Sequence, residues 1–272
     1  MYKSSLSPRE MFSSIWRNLD LIRALAKREV LSRYRGSMMG IMWSFITPTL
    51  SLAVYTFVFG NVLKSRWHGS SGSEADFALM LFSGLIIFNF FAECIIRAPT
   101  LISSNVNYVK KFVFPLEILP FTVMLNALFH GCVSFIVWLA SYFLIVGIPN
   151  GTMLFFPFLI VPLIFITLGF MWILASLGVF LRDISQFIGV MITALMFLSP
   201  LFYPMSSIPD AYRSLLYLNP LTVPIELTHD VLFFSKPPEL LSLGVYWSVT
   251  MIFAWLGFAW FQATRKGFAD VL

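Results

Sequence analysis

The chain has little charge. Of its 272 residues, 11% are Asp, Glu, Lys or Arg, and 58% are hydrophobic. A soluble domain carries about 25% charged residues. So little polar surface cannot cover a water-facing globule, and a mean hydropathy of +0.84 places the chain among polytopic membrane proteins. No polar stretch is long enough for a separate soluble domain. Cysteine is scarce too. Cys94 and Cys132 both fall in apolar runs and read as small hydrophobes rather than a disulfide, so they do not report the compartment. His68, His130 and His229 have no Cys, His or Asp at metal-ligand spacing, and no metal is assigned. The P-loop pattern G-x-x-x-x-G-K-[ST] is missing, and Lys266-Gly267 is in the wrong order for it. No Gly-x-Ser-x-Gly elbow occurs either. The chain therefore cannot hydrolyse ATP through a P-loop of its own, and any energy for transport comes from another polypeptide. The first 35 residues hold no apolar h-region, so no cleavable signal peptide is expected and the first span serves as an uncleaved insertion signal.

What is present is a series of apolar runs. Six reach the ~20 residues that a ~30 Å hydrocarbon core needs: 38–63, 77–97, 116–147, 153–181, 184–206 and 241–262. With the N-terminus inside, fourteen Lys and Arg fall on the cytoplasmic side and four outside. That bias predicts both termini in the cytoplasm. Segment 99–115 is then an inner connection, too polar at Ser103–Asn107 and Lys110–Lys111 to span; a short helix or loop at the inner surface is expected. The outer segment 205–240 is broken by Pro209, Pro220, Pro224, Pro237 and Pro238, yet "YRSLLYL" and "ELTHDVLFF" keep apolar residues at helical spacing. Two short helices are expected there, dipping into the outer leaflet or capping the bundle.

The basic stretch before the first span is amphipathic. Ile15, Leu19, Ile22, Ala26 and Val30 share one helical face, and Arg17, Asp20, Arg23, Lys27, Arg28 and Arg35 lie mostly on the other. Arg33 breaks the pattern. This predicts an interfacial helix over 10–35, its apolar side in the acyl boundary and its basic side toward anionic headgroups. Gly36 and Gly40 would let it turn sharply into the first span. It serves either as a positive-inside anchor or as a docking surface for a cytoplasmic partner.

Polar residues inside the spans are the site candidates. Gly40, Ser44, Thr47, Ser51, Tyr55, Phe59 and Val62 form one continuous face of the first span, hydroxylated below and aromatic above. Lipid does not need hydroxyls, so this face points at protein or at a conduit. A conduit for a polar cargo is one reading of this face; close packing across a dimer is the other. Phe197, Phe202 and Tyr203 could complete an aromatic collar. Glu93 and Arg97, four apart, are expected to pair with each other. Asn126 and His130 are expected to make interhelical hydrogen bonds, because a proton relay there lacks a carboxylate at the same depth.

Three blocks carry a family resemblance. "RYRGSMMGIMWSFITPTLSLAVYTFVFG" (33–60), "FSGLIIFNFF" with "NYVKKFVFPLEILP", and "LRDISQFIGVMITALMFLSPLFYP" with "NPLTVPIEL" occur in order over nearly the whole chain. Together they resemble the bacterial ABC-2 type permeases that export polysaccharides. Asn89 stands where that pattern more often has an aromatic. The resemblance implies an all-α membrane domain of six spans, with an N-terminal interface helix, a coupling helix in 99–115 and outer gate helices in 205–240. It implies a homodimer joined to two ATP-binding subunits, with ATP and Mg on the partner and no cofactor or catalytic residue in this chain. The cargo would be a lipid-linked glycan such as O antigen, capsule or teichoic acid, moved across the cytoplasmic (inner) membrane. Arg28, Arg33, Arg35, Tyr108, Lys110 and Lys111 are the candidates for contact with the ATPase. An ABC-2 permease for a drug or small lipid shares the architecture; a membrane-embedded transferase would need a carboxylate or His cluster at one face.

Overall fold

The computed structural model describes residues 6–62, 74–109 and 114–272. Among these residues the chain is helical throughout, with no strand. The N-terminal stretch is two helices rather than the single one expected. α1 (Pro8–Arg17) is capped by Ser7, whose side chain accepts from Arg9 N, with Pro8 in its first turn. It ends at Asn18, which leaves helical geometry and whose Nδ2 donates to Ser14 O at 2.7 Å. A side chain that bonds its own backbone competes with helix continuation there. α2 (Leu19–Tyr34) follows, and Gly36 and Gly40 then take φ of +86° and +52° to turn the chain. The apolar face of α2 meets protein instead of acyl chains: Ile22 and Ala26 are buried.

The first span is α3 (Trp43–Tyr55), continued by a wider π-helical turn over Thr56–Val62. Pro48 lies inside α3 and removes one backbone donor. α4 (Glu74–Arg97) is the axis of the bundle, because Phe77–Phe88 is buried on every side. It needs no amphipathic pattern, since neighbours surround it. A short α5 (Val106–Val109) sits in the inner connection. α6 (Leu119–Ile145) packs along α2, α3 and α4. α7 (Phe156–Phe180) packs most closely on α11 (Leu240–Thr264). The two helices meet at glycines: a Cβ on Gly257 would stand 2.3 Å from Gly169 O. Small residues let helix backbones approach in this way, and dispersion then replaces the weak apolar drive available in lipid.

The fifth apolar segment departs from its expected length. α8 (Ile184–Phe197) has 14 residues, about 21 Å at 1.5 Å per residue, whereas the hydrocarbon core is about 30 Å thick. Irregular backbone carries the chain on to Pro204. Among the described residues, five helical stretches are long and apolar enough to cross a membrane, and α8 is a shorter sixth. Beyond it lie α9 (Asp210–Leu216) and α10 (Thr222–Leu232), at the two places where helical spacing was read. α10 is wedged against α4 and α7, with Ile225, Thr228, His229 and Val231 buried. Asn219 anchors the turn before it, donating to Ser199 Oγ at 2.9 Å and accepting from Leu221 N. α12 (Phe268–Val271) closes the chain. We call the end carrying α1, α2 and α12 basal and the end carrying α9 and α10 distal.

Candidate functional site

The hydroxylated stripe of α3 faces a cavity of about 420 Å³ between α3, α4 and α6. Ser44, Thr47, Ser51 and Tyr55 form one wall, as their common face requires. Phe82, Asn89 and Glu93 of α4 and His130 and Ser134 of α6 form the rest, closed basally by Arg33, Tyr34 and Ser37. Ser44 is already engaged, donating to Ile41 O at 2.7 Å. Thr47, Ser51 and Asn89 have no hydrogen-bond partner among the described residues. Asn89 is exposed although its neighbours on α4 are buried, which places its amide on the cavity. The wall therefore offers free hydroxyl and amide groups at bilayer depth, where a polar group with nothing to bind is costly. From Ser44 to Tyr55 it runs about 16 Å at 1.5 Å per residue.

The charges beneath this wall include the expected Glu93–Arg97 pair, but each of the two also bonds a second partner. Glu93 Oε1 accepts from Arg33 Nη1 at 2.7 Å and from Asn126 Nδ2 at 3.1 Å, while Arg97 Nη1 stands 3.9 Å away. Arg97 turns to Glu29 of α2, donating from Nη2. So Glu93 and Arg97 are near each other, but the short bonds of both go to α2. Arg33 spoils the amphipathic pattern of α2 because its partner lies above the helix, on α4. The reading that no carboxylate shares the depth of Asn126 and His130 is overturned, since Glu93 is that carboxylate. Asn126 does make an interhelical hydrogen bond, as expected. Tyr34 Oη lies 3.3 Å from His130 Nδ1. Burial holds the Tyr34 phenol above its ordinary pKa, with the Arg33 charge opposing.

A second polar cavity, about 400 Å³, lies basally between α2 and segment 99–109. Two coupling candidates meet there: Arg28 Nη2 donates to Tyr108 Oη at 3.2 Å. Tyr108 also stacks on Phe114, ring centroids 4.2 Å apart. Arg35 is exposed at the end of α2. Lys110 and Lys111 lie outside the described residues. Sequence reasoning missed Glu117 altogether. Its side chain is 4% exposed, and its carboxylate accepts from Ser14 Oγ at 3.0 Å and Arg265 Nη1 at 2.8 Å. Its carbonyl accepts from Trp172 Nε1, and Arg265 reaches on to Phe114 O. One residue thus ties α1, the inner connection, α7 and the end of α11.

At the distal end the expected aromatic residues come together as a run of rings. Tyr55 lies 6.5 Å from Phe59 and 6.4 Å from Phe82. Phe59 lies 5.6 Å from Phe77 and stacks on Phe202 at 6.2 Å, and Phe202 lies 6.1 Å from Phe197. Tyr203 is held beside the run, its Oη donating to Phe197 O at 2.7 Å. Offset and tilted rings at such spacings attract one another beyond simple burial.

Residues 20–233 match the family model described as ABC-2 type transporter. The chain is 28% identical over 253 residues to the O-antigen export system permease protein RfbA of Myxococcus xanthus, covering 92% of this chain and 94% of that protein. It is 24% identical over 254 residues to a protein of the same name in Klebsiella pneumoniae, at 93% and 95% coverage. It is 25% identical over 252 residues to the polysialic acid transport protein KpsM of Escherichia coli, at 90% and 93%.

Proposed function

The chain belongs to the ABC-2 type transporter family, and from that premise we propose that it is the permease subunit of an exporter that carries a polysaccharide across the bacterial cytoplasmic membrane. O antigen is the first choice of cargo, with capsule or teichoic acid as the alternatives, and the glycan travels attached to a lipid. Two copies assemble with two ATP-binding subunits that hold ATP and Mg. Both termini are cytoplasmic, so the basal end faces the ATPase. The observation that carries the reading is the α3–α4–α6 cavity: Thr47, Ser51 and Asn89 present unpartnered hydroxyl and amide groups where lipid would have no use for them. A hydrated polymer can exchange its water hydrogen bonds for these one at a time, and each contact is weak enough to release. Tyr55, Phe59 and Phe202 give the distal end apolar faces for sugar rings. The exposed apolar faces of α3 and α8, including Leu50, Val54, Phe187 and Val190, suit burial against a second copy.

Deleting the gene should abolish surface polysaccharide on immunoblots while polymer accumulates inside, and a plasmid copy should restore it. Tagged chain should bring down an ATP-binding subunit at equal amounts, and purified alone it should show no ATP turnover. Normal surface polysaccharide in the deletion strain would overturn the reading.

A further inference from the structure

A third cavity differs in kind from the two polar ones. It has a volume of about 460 Å³ and lies between α4, α6 and α7. None of its lining side chains carries a nitrogen or an oxygen. Its floor is closed, because Ile86 and Phe90 of α4 and Leu163 of α7 are buried. Its mouth is open, because Cys132 and Ile136 of α6 and Pro157 of α7 are exposed. Gly131 leaves the space. Gly169 and Gly257 bring two backbones together, but a Cβ on Gly131 would meet nothing within 4 Å. The cavity is therefore a groove, running along α6 from Leu128 to Ile136, about 12 Å at 1.5 Å per residue. Its distal end has a known depth. Phe156 opens α7, and its ring stacks on Phe135 with centroids 4.5 Å apart. Just before it the chain is polar: Asn150 Nδ2 donates to Ser235 Oγ at 2.5 Å, and Thr152 Oγ1 donates to Val231 O at 2.7 Å. The groove thus begins about one turn below a polar surface and ends at mid-bundle.

We propose that this groove is a binding site for one acyl chain of a bilayer phospholipid in the distal leaflet. The proposal needs only that the chain spans a membrane; it depends neither on the cargo nor on which end is cytoplasmic. Three observations select this occupant. First, a lining without polar side-chain atoms has no hydrogen bond to offer a sugar, a headgroup or water, and apolar cavities stay dry and take up hydrocarbon instead. Secondly, the length fits. A leaflet supplies hydrocarbon to a depth of about 15 Å, half of the ~30 Å core, and the groove starts at the polar surface and stops at mid-bundle. Thirdly, the mouth is continuous with surface that meets lipid: Ile136 and, beside Pro157, Phe158 are exposed on two of the spanning helices. A second copy is the rival occupant, but the faces that suit it are on α3 and α8. An empty groove would leave its walls without partner atoms, and a chain restores those contacts. Lipid supplies no hydrophobic drive between helices, so dispersion of this kind is what holds them. The bound chain acts as an added piece of the bundle between α6 and α7. Its support reaches α10, because Phe135 stacks on Trp138 and Trp138 meets Phe233.

The test captures the lipid in place. The full chain, with any ATPase it brings down, is reconstituted in vesicles of phosphatidylethanolamine and phosphatidylglycerol. A small share of the phosphatidylethanolamine carries a diazirine midway along one acyl chain. After irradiation, mass spectrometry locates the cross-linked peptides. Residues 128–136 and 156–163 should capture the probe more than residues 249–256 of α11, where Val249, Ile252 and Leu256 are exposed but line no groove. The excess should be about tenfold, as for a site that a chain prefers to bulk lipid by that factor. Gly131→Leu puts a side chain into the groove. Capture there should fall to the α11 level while α11 itself is unchanged, which general loosening of the fold would not do. Cys132→Trp fills the same space from the next position and gives the same reading if Gly131→Leu does not assemble. In detergent, adding back unlabelled phosphatidylethanolamine should raise the melting temperature of the wild type more than that of the filled variant, since a ligand stabilises only the state that binds it. Equal capture on the groove and on α11 in the wild type would overturn the site, as would an excess that survives both filled variants. Groove capture below the α11 level, with a short bis-maleimide joining Cys132 of two copies, would give the groove to a second copy and overturn it too. Failure of the export reading shows elsewhere, as wild-type complex that puts no glycan on the surface, and leaves lipid capture untouched.

Discussion

Ser51 and Tyr55 face the same cavity one turn apart, and they distinguish a wall that binds from a wall that only packs. Ser51→Leu keeps the helix and removes a free hydroxyl; Ser51→Thr keeps the hydroxyl. Tyr55→Ala removes a ring that touches Phe59 and Phe82. If the wall binds, Ser51→Leu and Tyr55→Ala each lower surface polysaccharide about five- to tenfold, as loss of one contact per step would. Ser51→Thr stays near wild type, and the complex keeps its size on gel filtration in all three. If the wall only packs, Ser51→Leu disrupts assembly first and Tyr55→Ala does little. Glu117 is the opposite case, a residue whose work is structural. Removing a carboxylate that sits 4% exposed against Arg265 strands a buried charge; Glu117→Ala should cost about 3–5 kcal/mol, seen as a lower melting temperature in detergent. Glu117→Leu with Arg265→Met should recover much of that loss, because an apolar pair needs no charge partner. The stripe was legible in sequence because helical spacing alone puts 44, 47, 51 and 55 on one face. Glu117 was not, because its partners lie 103 and 148 residues away. Arg33 gave a signal that could have been used: a charge on the wrong face of an amphipathic helix needs a partner above that face.

Helix contacts in this bundle depend on where side chains are missing. On Gly257 of α11 a Cβ would meet the backbone of Gly169, and on Gly178 of α7 it would stand 1.9 Å from Pro99 O. Both contacts are backbone against side-chain space, so no rotamer can relieve them. Gly257→Leu and Gly178→Leu should each prevent recovery of monodisperse protein. Gly244→Ala, with nothing within 4 Å of its added Cβ, should be silent. The Gly178 contact holds the inner connection against α7, so its loss should also weaken pull-down of the ATPase. At this scale apolar length and proline placement gave the existence of the spans and of the helices at 210–216 and 222–232. They did not give the break at Asn18, which comes from one side-chain-to-backbone bond. Nor did they give the short α8. An apolar run from 184 to 206 looks continuous, but the backbone leaves the helix at Leu198 and turns to Pro204.

We propose that charge orients the whole molecule, and the fold makes that argument sharper. The basal end gathers α1, α2, the inner connection and the end of α11, and with them Arg9, Arg17, Arg23, Lys27, Arg28, Arg33, Arg35, Arg182, Arg265 and Lys266. The distal end carries Arg213, paired with Asp210 at 2.6 Å, and Lys236, near the ring of Phe234. Translocating Lys and Arg across the membrane during insertion is disfavoured, and short loops obey that bias best. The proposed contact with an ATP-binding subunit requires the basal end to be cytoplasmic; a reversed molecule would place it on the wrong side of the energy source. Asn107→Cys and Lys266→Cys, both exposed at the basal end, should therefore resist an impermeant maleimide applied to intact spheroplasts and react once the membrane is opened. Ser207→Cys, exposed at the distal end, should react from outside at once. The reverse pattern would leave the fold standing but move the proposed ATPase contact to the outer face, where no ATP is available. A mixed pattern, with Asn107→Cys and Lys266→Cys on different sides, would mean that the chain crosses an odd number of times between them, and α8 would be the segment that fails to span.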